Sequence, residues 1–235
     1  MSQNNTYVLI HSPLVGGLTW TLVADELRRR GQDVVVPQLK DSPDSKEPFW
    51  KQHAESVSQE LAHIPKNHTV TLVAHSGAGP LLPAIRESIP NLVNAYMFVD
   101  AGIPRASASR LDLMRSENPD WAEQFEATLK QGERFPTWSA EDLHEIIPDE
   151  KLRLQVVAEI RPRALPFFTE PIPVFDTWPD APCIYILFSP PYANVEIQAR
   201  QAGWVTYLLE AGHFHMLVDP KAVAALIVQA VDKLI

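Results

Sequence analysis

The stretch Ala74-His75-Ser76-Gly77-Ala78 sets a serine between a run of strand-forming residues and a stretch that favours a helix. A serine hydroxyl is a useful nucleophile only when a base takes its proton and a third group orients that base. A strand that turns sharply into a helix raises such a serine above the sheet edge, and only small neighbours fit in that turn. Ser76 is therefore predicted to be a nucleophile, with an ordinary helix N-cap as the alternative.

A histidine that could serve as the base follows the last predicted strand, in Glu210-Ala211-Gly212-His213-Phe214-His215. The carboxyl ends of parallel strands meet at one edge of a sheet, so His213 is predicted to lie over Ser76 and to take its proton. His215, two residues further on, is predicted to contact the substrate or a residue of the inserted segment described below.

The acid that would orient His213 is less directly indicated. Its commonest site follows the penultimate strand, but Phe188–Asn194 contains no carboxylate. Asp100 follows the strand after Ser76, at the same predicted sheet edge, and is our prediction for the acid. The alternative for Asp100 is a structural aspartate in the turn Asp-Ala-Gly. Glu196 is a weaker third candidate.

Two main-chain or side-chain donors should hold the oxyanion that forms when a serine attacks a carbonyl. The Gly77 amide is the first predicted donor. The second should come from the loop after the first strand, but the expected position is Pro13, which has no N–H. The Leu14 amide or the Ser12 hydroxyl would substitute, or the site lacks one donor, a loss of about 3 kcal/mol of transition-state stabilisation.

Other residues are candidates for a substrate pocket. His11 is interpreted as a residue that orders its loop, with a place in the pocket as the alternative. Five aromatic residues could line an apolar pocket or simply pack: Trp138, Phe167, Phe168, Phe175 and Trp178. Arg161 and Arg163 could bind a carboxylate substrate, although solvated charges are the usual role of such arginines.

These residues must be positioned by the fold. Short apolar runs alternate with amphipathic stretches, which predicts an α/β fold with a mostly parallel sheet and helices on both faces. The predicted strands are Tyr7–Ile10, Asp33–Pro37, Thr69–Ala74, Ala95–Val99, Cys183–Phe188 and Trp204–Leu209. Helices are predicted at Trp50–Leu61, Leu81–Ile89 and Lys221–Leu234, besides one that runs through Trp20 and ends at Gly31.

The alternation stops between Pro104 and Pro182. This segment contains three predicted helices, Trp121–Leu129, Ala140–Ile147 and Lys151–Glu159. An insertion of this kind between neighbouring strands predicts a lid rather than a separate domain. We therefore predict a core formed by residues 1–103 and 179–235, and a helical lid formed by residues 104–178.

Composition excludes several classes of function. The net charge of -9 disfavours nucleic acids and anionic membranes as partners. Cys183 is the only cysteine, which rules out an internal disulfide and a cysteine-based metal cluster. No run is long and apolar enough to span a bilayer, and the N-terminal residues lack the basic flank of a secretory signal. The expectation is a cytoplasmic protein with a small-molecule substrate and no metal; the sequence does not define an oligomeric state.

The order of these features resembles the α/β-hydrolase superfamily across nearly the whole chain. The stretch Ile10–Trp20 is similar to the corresponding stretch of the small plant methylesterase and hydroxynitrile lyase group. The resemblance implies a Ser-His-acid mechanism without metal or organic cofactor, and it implies little about the substrate; the aromatic residues named above predict a substrate with an apolar part. The leading prediction is a serine hydrolase that cleaves a small ester, thioester or amide, a carboxylic ester above all, through Ser76, His213, Asp100 and an acyl-enzyme. A lyase, cyclase or isomerase using the same serine and histidine, and a non-catalytic ligand-binding protein, are the alternatives.

Overall fold

Six strands form one sheet in the computed structural model, which describes residues 4–234. The strands are β1 (Asn5–Ile10), β2 (Asp33–Val35), β3 (Thr69–His75), β4 (Val93–Val99), β5 (Cys183–Leu187) and β6 (Val205–Leu208). Their spatial order is β2-β1-β3-β4-β5-β6, and all neighbouring strands are parallel. The predicted α/β fold with a parallel sheet is confirmed, with strand ends within two residues of those predicted.

The central strands are largely apolar because both faces of the sheet are covered. Along β1, Tyr7 and Leu9 pack on one face, and Val8 and Ile10 pack on the other. The first face is covered by α1 (Leu18–Arg29) and α10 (Pro220–Asp232); the second is covered by α2 (Phe49–Leu61), α3 (Leu82–Ser88) and α8 (Ala193–Gln201). Within the described residues, no helix is long and apolar enough to cross a membrane.

The helix predicted from Leu81 begins earlier than expected. Ser76–Leu81 forms a 3-10 helix that continues directly into α3, with Pro83 in the first turn of α3 as predicted. The helices α8 and α9 (His215–Val218) were not predicted. The buried face of α8 consists of only Val195 and Ala199, which leaves too weak an apolar pattern to indicate a helix.

The segment between β4 and β5 contains α4 (Arg110–Glu117), α5 (Pro119–Lys130), α6 (Glu150–Ala158) and α7 (Leu165–Thr169). The helices α5 and α6 match the predictions within two residues at every end. The predicted helix Ala140–Ile147 is wrong, because residues 140–146 form successive turns and Pro148 ends the segment before a regular helix can develop. The helix α4 was missed, although Ser109 and Asp112 form a capping box at its start.

Polar contacts fasten this inserted segment to the loops after β1 and β2. Glu159 accepts a hydrogen bond from the Leu18 amide at 3.1 Å. Arg163 binds both carboxylate oxygens of Asp41, at 2.5 and 2.7 Å. The paired side chains of Arg163 and Asp41 are 12% and 4% exposed, so removing one partner would leave a largely buried, uncompensated charge. The inserted segment is thus attached firmly at the sheet edge where β1 and β3 end.

Candidate active site

Ser76 stands at a sharp turn between β3 and the 3-10 helix. Its φ of 56° is in the left-handed region, which non-glycine residues adopt mainly at strained turns. The turn is closely packed: a Cβ on Gly79 would lie 2.1 Å from the Gly102 carbonyl oxygen, so no side chain fits there. The small residues that follow Ser76 therefore permit the turn that raises its hydroxyl above the sheet.

His213 and Asp100 are brought together although 113 residues separate them in the chain. The distance from His213 Nδ1 to Asp100 Oδ2 is 2.7 Å. Because the buried carboxylate accepts this hydrogen bond, Nδ1 carries the proton and Nε2 is left free to act as a base. Of the two candidate carboxylates, Asp100 and Glu196, Asp100 is the one in contact with His213. Glu196 instead pairs with Arg200 on α8.

The surroundings of Asp100 explain how a carboxylate is kept at this position. Asp100 itself has a φ of 45°, which turns its side chain toward the end of β5. There it accepts hydrogen bonds from the amides of Phe188 and Ser189, at 2.9 and 3.0 Å, and from the Ser189 hydroxyl. These donors compensate the burial of the carboxylate and fix the oxygen that His213 contacts.

Tyr192 contacts both Ser76 and His213, and the sequence did not predict it to lie at the site. Its hydroxyl lies 3.3 Å from Ser76 Oγ. Its ring is parallel to the His213 imidazole, with 4° between the planes and 5.2 Å between the centroids. Between residues 4 and 234, Ser76 Oγ makes no direct hydrogen bond with His213, so Tyr192 is the side chain that bridges them. The only indication of this in the sequence was that Tyr192 lies in Phe188–Asn194, the stretch that usually supplies the catalytic acid.

His75 holds the main chain of His213 and was also not assigned a role from the sequence. Its Nε2 donates to the His213 carbonyl at 2.9 Å. Burial of the ring, and secondarily the neighbouring His213, hold the pKa of His75 well below its usual range. His75 is therefore neutral and serves as a fixed donor that positions His213.

The candidate oxyanion donors come from two neighbouring segments, the turn at Gly77 and the loop after β1. A Cβ built on Gly77 would lie 3.3 Å from Ser12 Oγ and 3.7 Å from Pro13 Cδ. The Leu14 amide points at Ser12 Oγ at 3.4 Å, and the Leu14 carbonyl accepts from the Arg161 amide. Because the Leu14 amide is directed at Ser12 Oγ, the Ser12 hydroxyl is the better candidate for a second oxyanion donor beside the Gly77 amide.

His11 orders its loop, one of the two roles that the sequence left open. Its Nδ1 donates to the Ser12 carbonyl at 2.8 Å, and its Nε2 accepts from the Leu39 amide at 3.2 Å. Both ring nitrogens are used by the main chain and the ring is fully buried, so neither is available to a substrate. Burial lowers the pKa of His11 from 6.5 to about 4.

This lowered pKa predicts a loss of stability in mild acid. Unfolded chains bind a proton at His11 near pH 6.5 and folded chains near pH 4, so the stabilisation is present above pH 6.5 and is lost as pH falls. Between about pH 7.5 and about pH 5, His11 alone should lower the free energy of unfolding by about 2 kcal/mol. Urea titrations of wild type and His11→Asn measure this difference, which the variant should lack.

The control for this measurement is His63→Asn, because His63 is exposed. This variant should keep the wild-type pH dependence of unfolding. An equal loss of stability on acidification in wild type and His11→Asn would contradict the prediction.

Of the remaining residues considered for a substrate pocket, some lie next to His213 and others pack in the core. Trp138 packs against Phe214, next to His213, with 6.1 Å between ring centroids. His215 packs edge-on against Phe188. Phe168 is fully buried in a cluster of the inserted segment with Phe167, Phe125 and Phe135. Packing, the alternative that the sequence left open, is therefore the role of Phe167 and Phe168.

Packing also accounts for the other aromatic pair, since Phe175 and Trp178 pack on the sheet face that carries Phe98.

Neither arginine is simply a solvated charge, which was its usual role as read from the sequence. Arg161 donates to the Leu39 carbonyl. Both terminal nitrogens of Arg163 are bound by Asp41, so Arg163 is not available to a carboxylate substrate.

The next features are possible metal ligands and the single cysteine. Over residues 4–234, no group of three His, Cys, Asp or Glu side chains is arranged to hold a metal ion. Cys183 is buried, and burial raises the pKa of its thiol to about 12. This thiol therefore remains protonated and packs as an apolar residue.

Comparisons with known proteins cover nearly the whole chain. A family model described as the alpha/beta hydrolase family matches residues 7–226. An extracellular alpha/beta-hydrolase from a Paenibacillus species, described as homologous in structure and function to tobacco salicylic acid binding protein 2, superposes with a TM-score of 0.75. It is 19% identical, and the match covers 96% of this chain and 98% of that one.

Two further solved structures are similar to the same extent. Tomato methylketone synthase I, complexed with 2-tridecanone, is 17% identical with a TM-score of 0.74, and the match covers 97% of this chain and 98% of that one. Polyneuridine aldehyde esterase is 20% identical with a TM-score of 0.71, with 96% and 98% covered. At these identities the likeness concerns the fold. A search of curated protein sequences found no match.

Proposed function

Since the chain belongs to the alpha/beta hydrolase family, we propose that it is a serine hydrolase that cleaves a small ester, thioester or amide. The observation that carries the proposal is the 2.7 Å hydrogen bond between Asp100 and His213, which frees His213 Nε2 as a base beside the turn that carries Ser76. The acid, the base and the strained serine come from three different parts of the chain. Their convergence is what acyl transfer requires.

The reaction begins with attack of Ser76 Oγ on the substrate carbonyl carbon. The Oγ–C bond forms, the Ser76 proton passes to His213 Nε2, and the carbonyl electron pair moves onto oxygen. The imidazolium is stabilised by Asp100, and the Gly77 amide and Ser12 hydroxyl hold the oxyanion. Collapse breaks the bond to the leaving group, which takes the proton from His213. Water then releases the acyl group by the same steps in reverse.

A carboxylic ester with an apolar part is the proposed substrate class. The half-buried Trp138 packs on Phe214 next to His213 and presents aromatic surface there, which suits an apolar group. Solved structures with the same fold include proteins named as an esterase and as a pyrethroid hydrolase, which supports an ester over an amide.

The segment 104–178 is proposed to act as a lid over this site. Arg163 donates to the Pro13 carbonyl at 3.1 Å, and the Arg161 amide donates to the Leu14 carbonyl at 2.9 Å. These contacts fasten the segment to the loop that carries the proposed oxyanion donors. The same segment contributes Trp138, so it would exclude water from the acyl-enzyme.

A panel of p-nitrophenyl acetate, an acetyl thioester and an acetyl anilide tests the proposed hydrolysis. We expect turnover of the ester, with a burst of p-nitrophenol whose amplitude equals the enzyme concentration if deacylation is the slower step. Binding of these compounds with no turnover and no acylated protein would contradict the proposal and support a ligand-binding role.

The Ser12→Ala variant tests the second oxyanion donor. Because Pro13 has no amide proton, loss of the Ser12 hydroxyl should lower kcat for p-nitrophenyl acetate by about 100-fold, with a smaller change in KM. Steady-state kinetics of Ser12→Ala and of the exposed control Ser45→Ala provide the comparison. A change of less than about threefold would mean that another group, such as the Leu14 amide, holds the oxyanion.

Pro13 also favours a second candidate function, a lyase that uses the same serine and histidine as acid–base groups. Such a reaction does not build up a tetrahedral oxyanion and does not need two amide donors. Turnover of a non-ester substrate without any acylated protein, and without ester hydrolysis, would favour the lyase over the hydrolase.

A further inference from the structure

The hydroxyl of Tyr192 is the polar side-chain group that hydrogen-bonds the proposed nucleophile, at 3.3 Å from Ser76 Oγ. Catalytic hydrogen bonds are often long in the absence of substrate and shorten when it binds. The proposed mechanism assigns the oxyanion to Gly77 and Ser12, and proton transfer to His213. It leaves this hydroxyl without a role.

Tyr192 is held in place by the same carboxylate that orients His213. Its amide donates to the Ser189 carbonyl at 3.1 Å, and Ser189 is bound to Asp100 through both its amide and its hydroxyl. The ring is stacked on the imidazole of His213. Asp100 therefore positions two groups, His213 directly and Tyr192 through Ser189, and both lie beside Ser76.

The hydroxyl of Tyr192 remains protonated over the working range of a histidine base. Burial raises the pKa of Tyr192 to about 12, with a smaller contribution from the Asp100 charge. It is a hydrogen-bond donor and not a base. Either hydroxyl of the Tyr192–Ser76 pair can donate in the resting enzyme, and with Tyr192 as the donor the Ser76 proton stays available to His213 Nε2.

We propose that Tyr192 is a catalytic residue that donates a hydrogen bond to the leaving-group oxygen of the substrate. This inference rests on the proposed serine hydrolase function. Once Ser76 Oγ is bonded to the carbonyl carbon it is a poorer acceptor, and the leaving-group oxygen must lie between Ser76 and His213 to receive the proton. The Tyr192 ring is stacked on the His213 imidazole and its hydroxyl lies 3.3 Å from Ser76 Oγ, so the hydroxyl donates to the leaving-group oxygen and stabilises the negative charge that develops as the C–O bond breaks.

The proton balance is unchanged by this step. The bond between the carbonyl carbon and the leaving oxygen breaks, its electron pair goes to that oxygen, and His213 Nε2 supplies the proton. Tyr192 keeps its own proton throughout. In deacylation Ser76 Oγ is the leaving oxygen. Tyr192 then donates to Ser76 Oγ as its bond to the carbonyl carbon breaks, which restores the 3.3 Å contact of the resting enzyme.

The test compares Tyr192→Phe with wild type on p-nitrophenyl acetate and ethyl acetate. Both substrates give the same acetyl-enzyme, so kcat/KM differs between them only through binding and acylation. The nitrophenolate needs little help to leave, whereas ethoxide needs a donor. We expect kcat/KM to fall about 30-fold for ethyl acetate and less than about threefold for p-nitrophenyl acetate.

The matched control is Tyr207→Phe, which removes a half-buried hydroxyl from β6 and should leave both values unchanged. Equal losses on the two esters, or no loss on either, would overturn the role of Tyr192 as leaving-group donor. Wild-type activity separates this result from failure of the proposed function. If wild type hydrolyses neither ester and is not acylated, the hydrolase proposal itself fails.

Discussion

Replacing Ser76 by alanine should lower kcat for p-nitrophenyl acetate by about 10⁵-fold, toward the residual rate supplied by binding and the oxyanion donors. The variant keeps His213, Asp100 and the Gly77 amide, but it has no oxygen that can bond to the carbonyl carbon. Steady-state rates and the loss of the p-nitrophenol burst measure the effect.

The control for this experiment is Ser116→Ala, since Ser116 is exposed on α4. Its rates should equal those of wild type. If Ser76→Ala kept more than about one tenth of wild-type activity while folding normally, covalent catalysis by Ser76 would be excluded.

Replacing Asp100 by asparagine should lower kcat by about 10⁴-fold. The new side-chain amide can donate to His213 Nδ1, which must then be the unprotonated nitrogen. The ring proton is then on Nε2, and Nε2 can no longer act as a base. The carbonyl oxygen of that amide can still accept from the amides of Phe188 and Ser189, and asparagine tolerates the positive φ at this position. The variant should therefore fold, and thermal unfolding checked beside the kinetics separates the loss of rate from a loss of structure.

Glu196→Gln is the matched control, because Glu196 is the other carboxylate considered from the sequence. It pairs with Arg200 on α8 and should change kcat by less than about twofold. A large loss in Glu196→Gln together with full activity in Asp100→Asn would show that the orienting acid has been misassigned.

The sheet could be predicted from the sequence because its central strands are buried on both faces and are therefore largely apolar. The turn at Ser76 could be predicted for a similar reason, since the small residues after it are required by close contacts such as that of Gly79 with the Gly102 carbonyl. The position of Asp100 at the end of β4 was also readable. The sequence placed its contact with His213 beside an alternative, a structural aspartate in the turn, because the direction of a side chain at a residue with positive φ cannot be read from the sequence.

Side-chain direction also explains what the sequence did not indicate. Tyr192 and His75 are brought to the site by the 3-10 turn after β5 and by the last residue of β3, and neither position has a pattern of its own. Arg161 and Arg163 were interpreted as solvated charges, with a carboxylate substrate as the alternative, but a main-chain carbonyl and Asp41 bind them instead. Such pairings join distant loops and leave no periodic signal.

The attack by Ser76 is the central claim, and a fluorophosphonate probe tests it most directly. The probe phosphonylates a serine only when a neighbouring base activates it. Wild type should be labelled once per chain, peptide mapping should locate the label on Ser76, and Ser76→Ala should remain unlabelled. An unlabelled wild type, or equal labelling of wild type and Ser76→Ala, would contradict the assignment of Ser76 as an activated nucleophile.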